Sequence, residues 1–119
     1  MAVSEIDKAL TAIETRRARE EAARRKRRDA ACAFLKGFYE KDVKRSKKLK
    51  EYGIEAAFED GRLVFQRPAA GHFSDGLMIV VGEHGEIDAG GKSLGRFQAK
   101  DEQARKKELI EEIILHFSL

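Results

Sequence analysis

Tryptophan is absent, and cysteine and proline each occur once in 119 residues. The single cysteine, Cys32, closes no disulfide within the chain, which excludes a disulfide scaffold and makes the cytoplasm the expected location. With Pro68 as the only proline, long stretches are free to run as helix. Long apolar runs are missing too. The longest, LMIVV at 77–81, is strand-sized and far short of the ~18 residues of a membrane span, so no membrane partner is expected. The opening MAVSEIDKAL has neither the basic flank nor the apolar centre of a secretion signal.

Catalytic signatures are missing in the same way. Gly90-Gly91-Lys92-Ser93 mimics the end of a phosphate loop, but Glu86 stands where that motif needs its first glycine. His72, Ser74 and Asp75 crowd together too closely for a triad, and no nucleophile elbow surrounds Ser74. Glu83, His84, Glu86 and Asp88 gather in EHGEID, and alternation puts Glu86 and Asp88 on one side. Without a second ligand cluster they read as an exposed polar turn and strand rather than a metal site. The expectation is a protein that is not an enzyme and carries no cofactor.

What is abundant is charge. Charged residues make up 38% of the chain, against the usual ~25%, and they are unevenly placed. Residues 1–52 hold 16 Lys and Arg against 9 Asp and Glu, a balance of +7, while residues 53–119 hold 8 against 12, a balance of −4. The densest stretch, RRAREEAARRKRR at 16–28, has eight cations in thirteen residues. Such an asymmetry points to an anionic partner for the first half.

Ser4 followed by Asp7 reads as a helix N-cap with acid in the first turn, and Ile6, Leu10 and Ile13 then share one stripe. The stripe stops at Glu14. Continued as a seven-residue seam it would put Arg17, Glu20, Arg24 and Arg27 at apolar positions, which a coiled coil does not accommodate. Ala, Arg and Glu nonetheless favour helix. Arg16–Glu20, Arg17–Glu21, Glu20–Arg24 and Glu21–Arg25 are spaced to pair, so 14–28 is predicted to be a helix with no core-facing side. Ala31, Phe34, Leu35 and Phe38 restart a core stripe that continues weakly through Val43 and Leu49, with Gly37 marking a bend or a tight contact. A single helix over 4–52 would run roughly 70 Å, against a radius of gyration near 14 Å for a compact domain of this size. Either the helix breaks near 29–37 or its first half projects. The expected organisation is a projecting basic helical arm over 1–29 and one α+β domain over 30–119.

Asp60-Gly61 predicts a hairpin joining strands at 54–59 and 62–67, with Glu59 opposite Arg62. Residues 69–76 read as a loop. LMIVV reads as a central strand covered on both faces, 82–85 as a turn, 86–89 as a short return strand, and the glycines at 90, 91 and 95 as a flexible connector. Ile110, Ile113, Ile114 and Phe117 predict an amphipathic closing helix. The fold class is therefore α+β: a long charged N-terminal helix, an antiparallel meander of about four short strands, and a C-terminal amphipathic helix.

The candidate anion-binding residues are Arg16, Arg17, Arg24, Arg25, Lys26, Arg27 and Arg28. Lys44, Arg45, Lys47 and Lys48 from KDVKRSKKLK form a second group. On a helix Arg17, Arg24 and Arg28 fall within about 40° of one another and can follow a phosphate backbone. Ile6, Leu10 and Ile13 are the candidate protein interface. Cys32, beside the core stripe, is expected to be a buried apolar residue. The leading expectation is a nucleic-acid-associated binding protein making phosphate contacts with little sequence preference. The alternative is a small inhibitor or adaptor whose partner is an acidic protein surface, docking on a nucleic-acid-processing enzyme. The layout resembles that of small phage and plasmid proteins of the latter kind. A homodimer would double the local charge in either case.

Overall fold

The computed structural model describes residues 4–68 and 75–119. Helix α1 runs unbroken from Glu5 to Phe38. The Ser4 hydroxyl accepts from the Asp7 amide at 3.0 Å, and Glu5 and Asp7 sit at the positive end of the helix. Nothing breaks the helix at 29–37. A side chain built on Gly37 would meet no atom within 4 Å, so this glycine marks no tight contact. Its intrinsic cost of about 1 kcal/mol is outweighed by the burial of Ala31, Phe34, Leu35 and Phe38 on the same face.

The regular helix ends just beyond. Tyr39–Val43 form a π-helical turn, and α2, Lys47–Glu51, starts afresh from Ser46, whose hydroxyl accepts from the Leu49 amide at 3.2 Å. The restart breaks the helical phase between Lys41 and Lys48, so the cations of 41–50 do not form one continuous stripe.

Five antiparallel strands follow in a meander of order β1-β2-β3-β4-β5: Glu55–Glu59, Arg62–Arg67, Asp75–Val81, Glu86–Ala89 and Lys92–Arg96. Asp60 and Gly61 turn the first hairpin with positive φ, and Glu59 pairs with Arg62. Strand β3 begins two residues earlier than its apolar run. The fifth strand corrects the reading of 90–95 as a flexible connector. Gly90 and Gly91, at φ 61° and 90°, form a two-residue hairpin turn, and Lys92 and Ser93 belong to β5. A short 3-10 turn, Ala99–Asp101, leads into α3, Glu102–Phe117.

One face of the sheet is covered. Leu63, Phe65, Leu77, Ile79, Ile87 and Ala89 pack against Phe34, Leu35 and Phe38 of α1 and Leu109, Ile113 and Phe117 of α3. Both helices therefore lie on the same face. The expectation that LMIVV is covered on both sides is corrected: Met78, on the other face, is 46% exposed, and Val80 is half-buried. The closing helix is pinned at its end by Arg67, which donates to the Phe117 carbonyl at 3.0 Å and lies 5.4 Å from the Phe117 ring centre.

The molecule measures 75 × 32 × 20 Å with a radius of gyration of 19.9 Å, well above the ~13.5 Å of a compact chain of this length. The excess is α1, whose first buried residue is Ala31.

Candidate functional site

The helix leaves the packed body beside the β3–β4 turn. That turn lies directly on the helix backbone, because Gly85 has no side chain. A Cβ there would sit 2.8 Å from the Arg27 carbonyl oxygen, and the residue adopts φ 79°. The turn is held from within by Glu86, whose Oε1 accepts from the His84 amide at 3.2 Å. It is held from outside by Phe97, whose amide donates to the Gly85 carbonyl at 2.9 Å. The Phe97 ring in turn stacks on Phe34 of α1 with centroids 4.6 Å apart. These contacts fix Arg96, the residue before Phe97, next to His84 and to the departing helix.

The result is a cleft of about 430 Å³ lined by Arg17, Glu20, Glu21, Arg24, Arg27, His84 and Arg96. Helical geometry explains the selection. Arg17, Glu20, Arg24 and Arg27 continue, at steps of three and four, the face that buries Ala31, Phe34, Leu35 and Phe38. They are the residues that make a coiled-coil seam unworkable. Here the seam overhangs the edge of the body, and its cations face the β3–β4 turn across open solvent.

The two glutamates are engaged elsewhere. Glu20 meets Arg16 at 3.9 Å and Glu21 meets Arg25 at 3.5 Å, both between exposed side chains. Arg24 approaches Glu83 at 3.9 Å. Such long, solvated pairs hold little, about 0–1 kcal/mol each. The expected Arg17–Glu21 and Glu20–Arg24 pairs are not formed. Among the described residues Arg17, Arg27 and Arg96 make no ion pair within 4 Å. The lining holds four guanidinium groups, an imidazole and no apolar side chain.

The other candidates are distributed around this cleft. Arg25 and Arg28 line a second hollow with Lys36, Arg62 and Cys32, and a smaller one with Glu21, Arg24 and Glu83, so Arg28 meets Arg24 but does not share a hollow with Arg17. Lys26 and Arg16 are exposed on the helix. Lys44, Arg45, Lys47 and Lys48 are exposed at the far end of the body, Lys44 lying sixteen residues and roughly 24 Å along the helix from Arg28. They are not brought to the arm. Ile6 and Leu10 are 71% and 50% exposed at the arm's tip, with Ile13 half-buried on the same stripe.

Two carboxylates of EHGEID are occupied structurally, Glu86 by the His84 amide and Asp88 by the Gly91 amide at 2.8 Å, while the exposed Glu83 only approaches Arg24. Among the described residues no group of three or more His, Cys, Asp or Glu is placed to hold a metal ion. His72 and Ser74 lie outside the described residues. Cys32 is half-buried rather than buried. Burial raises its thiol pKa above the ordinary 9.0, Arg28 pulls it down, and Asp29 raises it further.

Two site residues, Arg96 and His84, escape the sequence reading as anion contacts. Arg96 sits in the strand hidden behind three glycines. A regular two-residue turn at Gly90-Gly91 would set Gly95 opposite Glu86; a register shift between Glu86 and Asp88 brings Arg96 opposite Glu86 instead, and so beside the β3–β4 turn. No protein-family model, curated protein or solved structure matches this chain. Among the described residues no helix is long and apolar enough to cross a membrane.

Proposed function

We propose that the chain is a non-enzymatic nucleic-acid-associated protein that grips the phosphate backbone between its helical arm and the β3–β4 turn. Arg17, Arg24, Arg27 and Arg96 are the principal contacts. His84 lies among them, and Arg16, Arg25, Lys26 and Arg28 extend the positive field along the helix. Binding is driven by release of counterions from the phosphates. Little sequence preference follows, because the cations of the cleft address oxygens common to every nucleotide. The single cysteine is consistent with a cytosolic setting.

The observation that carries this reading is the composition of the cleft. A protein partner would be held by apolar or aromatic anchors in a desolvated pocket. This lining is all polar, and three of its four arginines are unpaired among the described residues, which suits a chain of evenly spaced anions.

The test is fluorescence anisotropy with two short labelled DNA duplexes of unrelated sequence, titrated over a range of salt. If about five phosphates are neutralised, log K falls against log salt with a slope near −4.5, equal for both sequences. A slope near zero, or no binding at low salt, removes the proposal.

A further inference from the structure

The cationic cleft continues past the point where the arm leaves the body. A smaller hollow of about 160 Å³ adjoins it, sharing Glu21 and Arg24 and adding Arg25, Arg28 and Glu83. Arg25 and Arg28 belong in turn to the hollow with Lys36, Arg62 and Cys32, of about 860 Å³. Because each hollow shares arginines with the next, the three make one track. From Arg17 to Lys36 it follows nineteen residues of helix, roughly 28 Å.

The lining changes character along the track. The cleft at its start has no apolar side chain. The hollow at its end reaches from Cys32, Ala33 and Lys36 on α1, past Asp60 and Gly61, to Arg62, Met78 and Val80 on the open face of the sheet. Met78 is 46% exposed and Val80 half-buried. Arg62 pairs with Val80 across the two strands, so a guanidinium stands beside the uncovered apolar side chains. The cations of this hollow are available. Among the described residues Arg28, Lys36 and Arg62 make no ion pair within 4 Å. Four lining cations face two lining carboxylates, Asp29 and Asp60, a balance of +2.

A ligand that suits both ends carries a row of anions and, at one point, a flat apolar group. A nucleotide strand with an unpaired base has both. A duplex offers only base edges in its grooves. We infer that the track takes a single strand, its phosphates following Arg17, Arg24 and Arg28 and one unpaired base lying on Met78 and Val80 beside Arg62. A guanidinium plane stacks on a base, and a thioether packs well against an aromatic ring. Such a seat tolerates sequence, because every base has a flat face. The inference rests on the nucleic-acid reading and adds to it the state of the strand and the seat of a base.

Fluorescence anisotropy with three probes tests it: labelled oligothymidine, an abasic strand with the same number of phosphates, and a duplex. Oligothymidine is expected to bind roughly tenfold more tightly than the abasic strand at one salt concentration, the effect of one stacked base. It also displaces the duplex at equal total phosphate. Met78→Ser, at an exposed position, closes most of the gap between the two strands and leaves the abasic affinity unchanged. Thermal melting by circular dichroism verifies that the variant is folded. Without any variant, oligothymidine slows alkylation of Cys32, which lines the same hollow. Oligouridine in a parallel titration assigns the strand to RNA if it binds more tightly than oligothymidine and to DNA if less, and either result supports the seat when its abasic counterpart is weaker. Equal binding of oligothymidine and the abasic strand, a gap that survives Met78→Ser, or a duplex that resists displacement overturns the inference and leaves the nucleic-acid reading intact. Failure of all the probes to bind at low salt removes that reading and this inference with it.

Discussion

Gly85 is where a single atom decides the geometry of the site. Its missing Cβ lets the β3–β4 turn rest on the Arg27 carbonyl. Gly85→Ala introduces both the clash and a strained positive φ, and is expected to destabilise the protein by roughly 1–3 kcal/mol, read as a lower melting temperature. The same change pushes His84 away from the arm and weakens polyanion binding beyond what a surface substitution does. Gly37 behaves in the opposite way. With open space around it in a helix interior, Gly37→Ala stabilises by roughly 0.5–1 kcal/mol in the same melting experiment. Cys32, its thiol pKa raised by burial despite the nearby Arg28, stays protonated at neutral pH. Alkylation by iodoacetamide is therefore slow at pH 7 and accelerates only as the pH passes above 9.0. Arg28→Gln removes the opposing pull and moves that midpoint higher still.

At the scale of elements, α1 joins two kinds of stability in one helix. From Ala31 to Phe38 it is locked by the core. From Glu5 to about Arg24 it is held by its own hydrogen bonds, the Ser4 cap and weak ion pairs, with no packing to suppress fraying. Amide hydrogen exchange is expected to fall steeply in rate between Arg24 and Ala31, with fast exchange through the arm and protection near the global limit beyond it.

Much of this element map is legible in the residues. The N-cap, the interrupted stripe, the Asp60-Gly61 hairpin and the C-terminal helix follow from local patterns that tertiary packing reinforces. Strand β5 is not legible, because Lys92–Arg96 carries only Leu94 as a sizeable apolar residue and Gly95 within it breaks the alternation. What holds that strand comes from α3. Arg105 donates to the Leu94 carbonyl, and Lys92 donates to Glu112 at 2.8 Å. The Lys92–Glu112 hydrogen bond, with the charge of Glu112, raises the lysine pKa on folding. The sign follows from linkage: the pair's contribution is complete below the ordinary lysine pKa of 10.5 and is lost as pH climbs through the higher folded value. Alkaline melts above pH 10.5 are thus expected to show a loss of stability that Glu112→Gln reduces.

The cationic cleft is half legible for a related reason. Arg17, Arg24 and Arg27 declare themselves as charges at seam positions of a helix. Their partners Arg96 and His84 arrive through sheet register, a long-range relation that no local spacing encodes.

At the scale of the whole molecule, the 75 Å length of so short a chain comes from carrying charge where a core stripe would otherwise continue. An arm that folded back would bury Arg17, Arg24 and Arg27 against the sheet and incur several kcal/mol of desolvation for each. Standing clear, these residues keep their hydration and remain available to an outside anion. The most direct test compares the salt dependence of duplex binding in two variants. Replacing Arg17, Arg24, Arg27 and Arg96 together by Gln is predicted to flatten the slope of log K against log salt by about 3.6, or roughly 0.9 for each phosphate no longer neutralised. Replacing Lys44, Arg45, Lys47 and Lys48 by Gln is predicted to leave the slope unchanged. Equal flattening by both variants, or no flattening by the first, would contradict a site localised where the arm leaves the body.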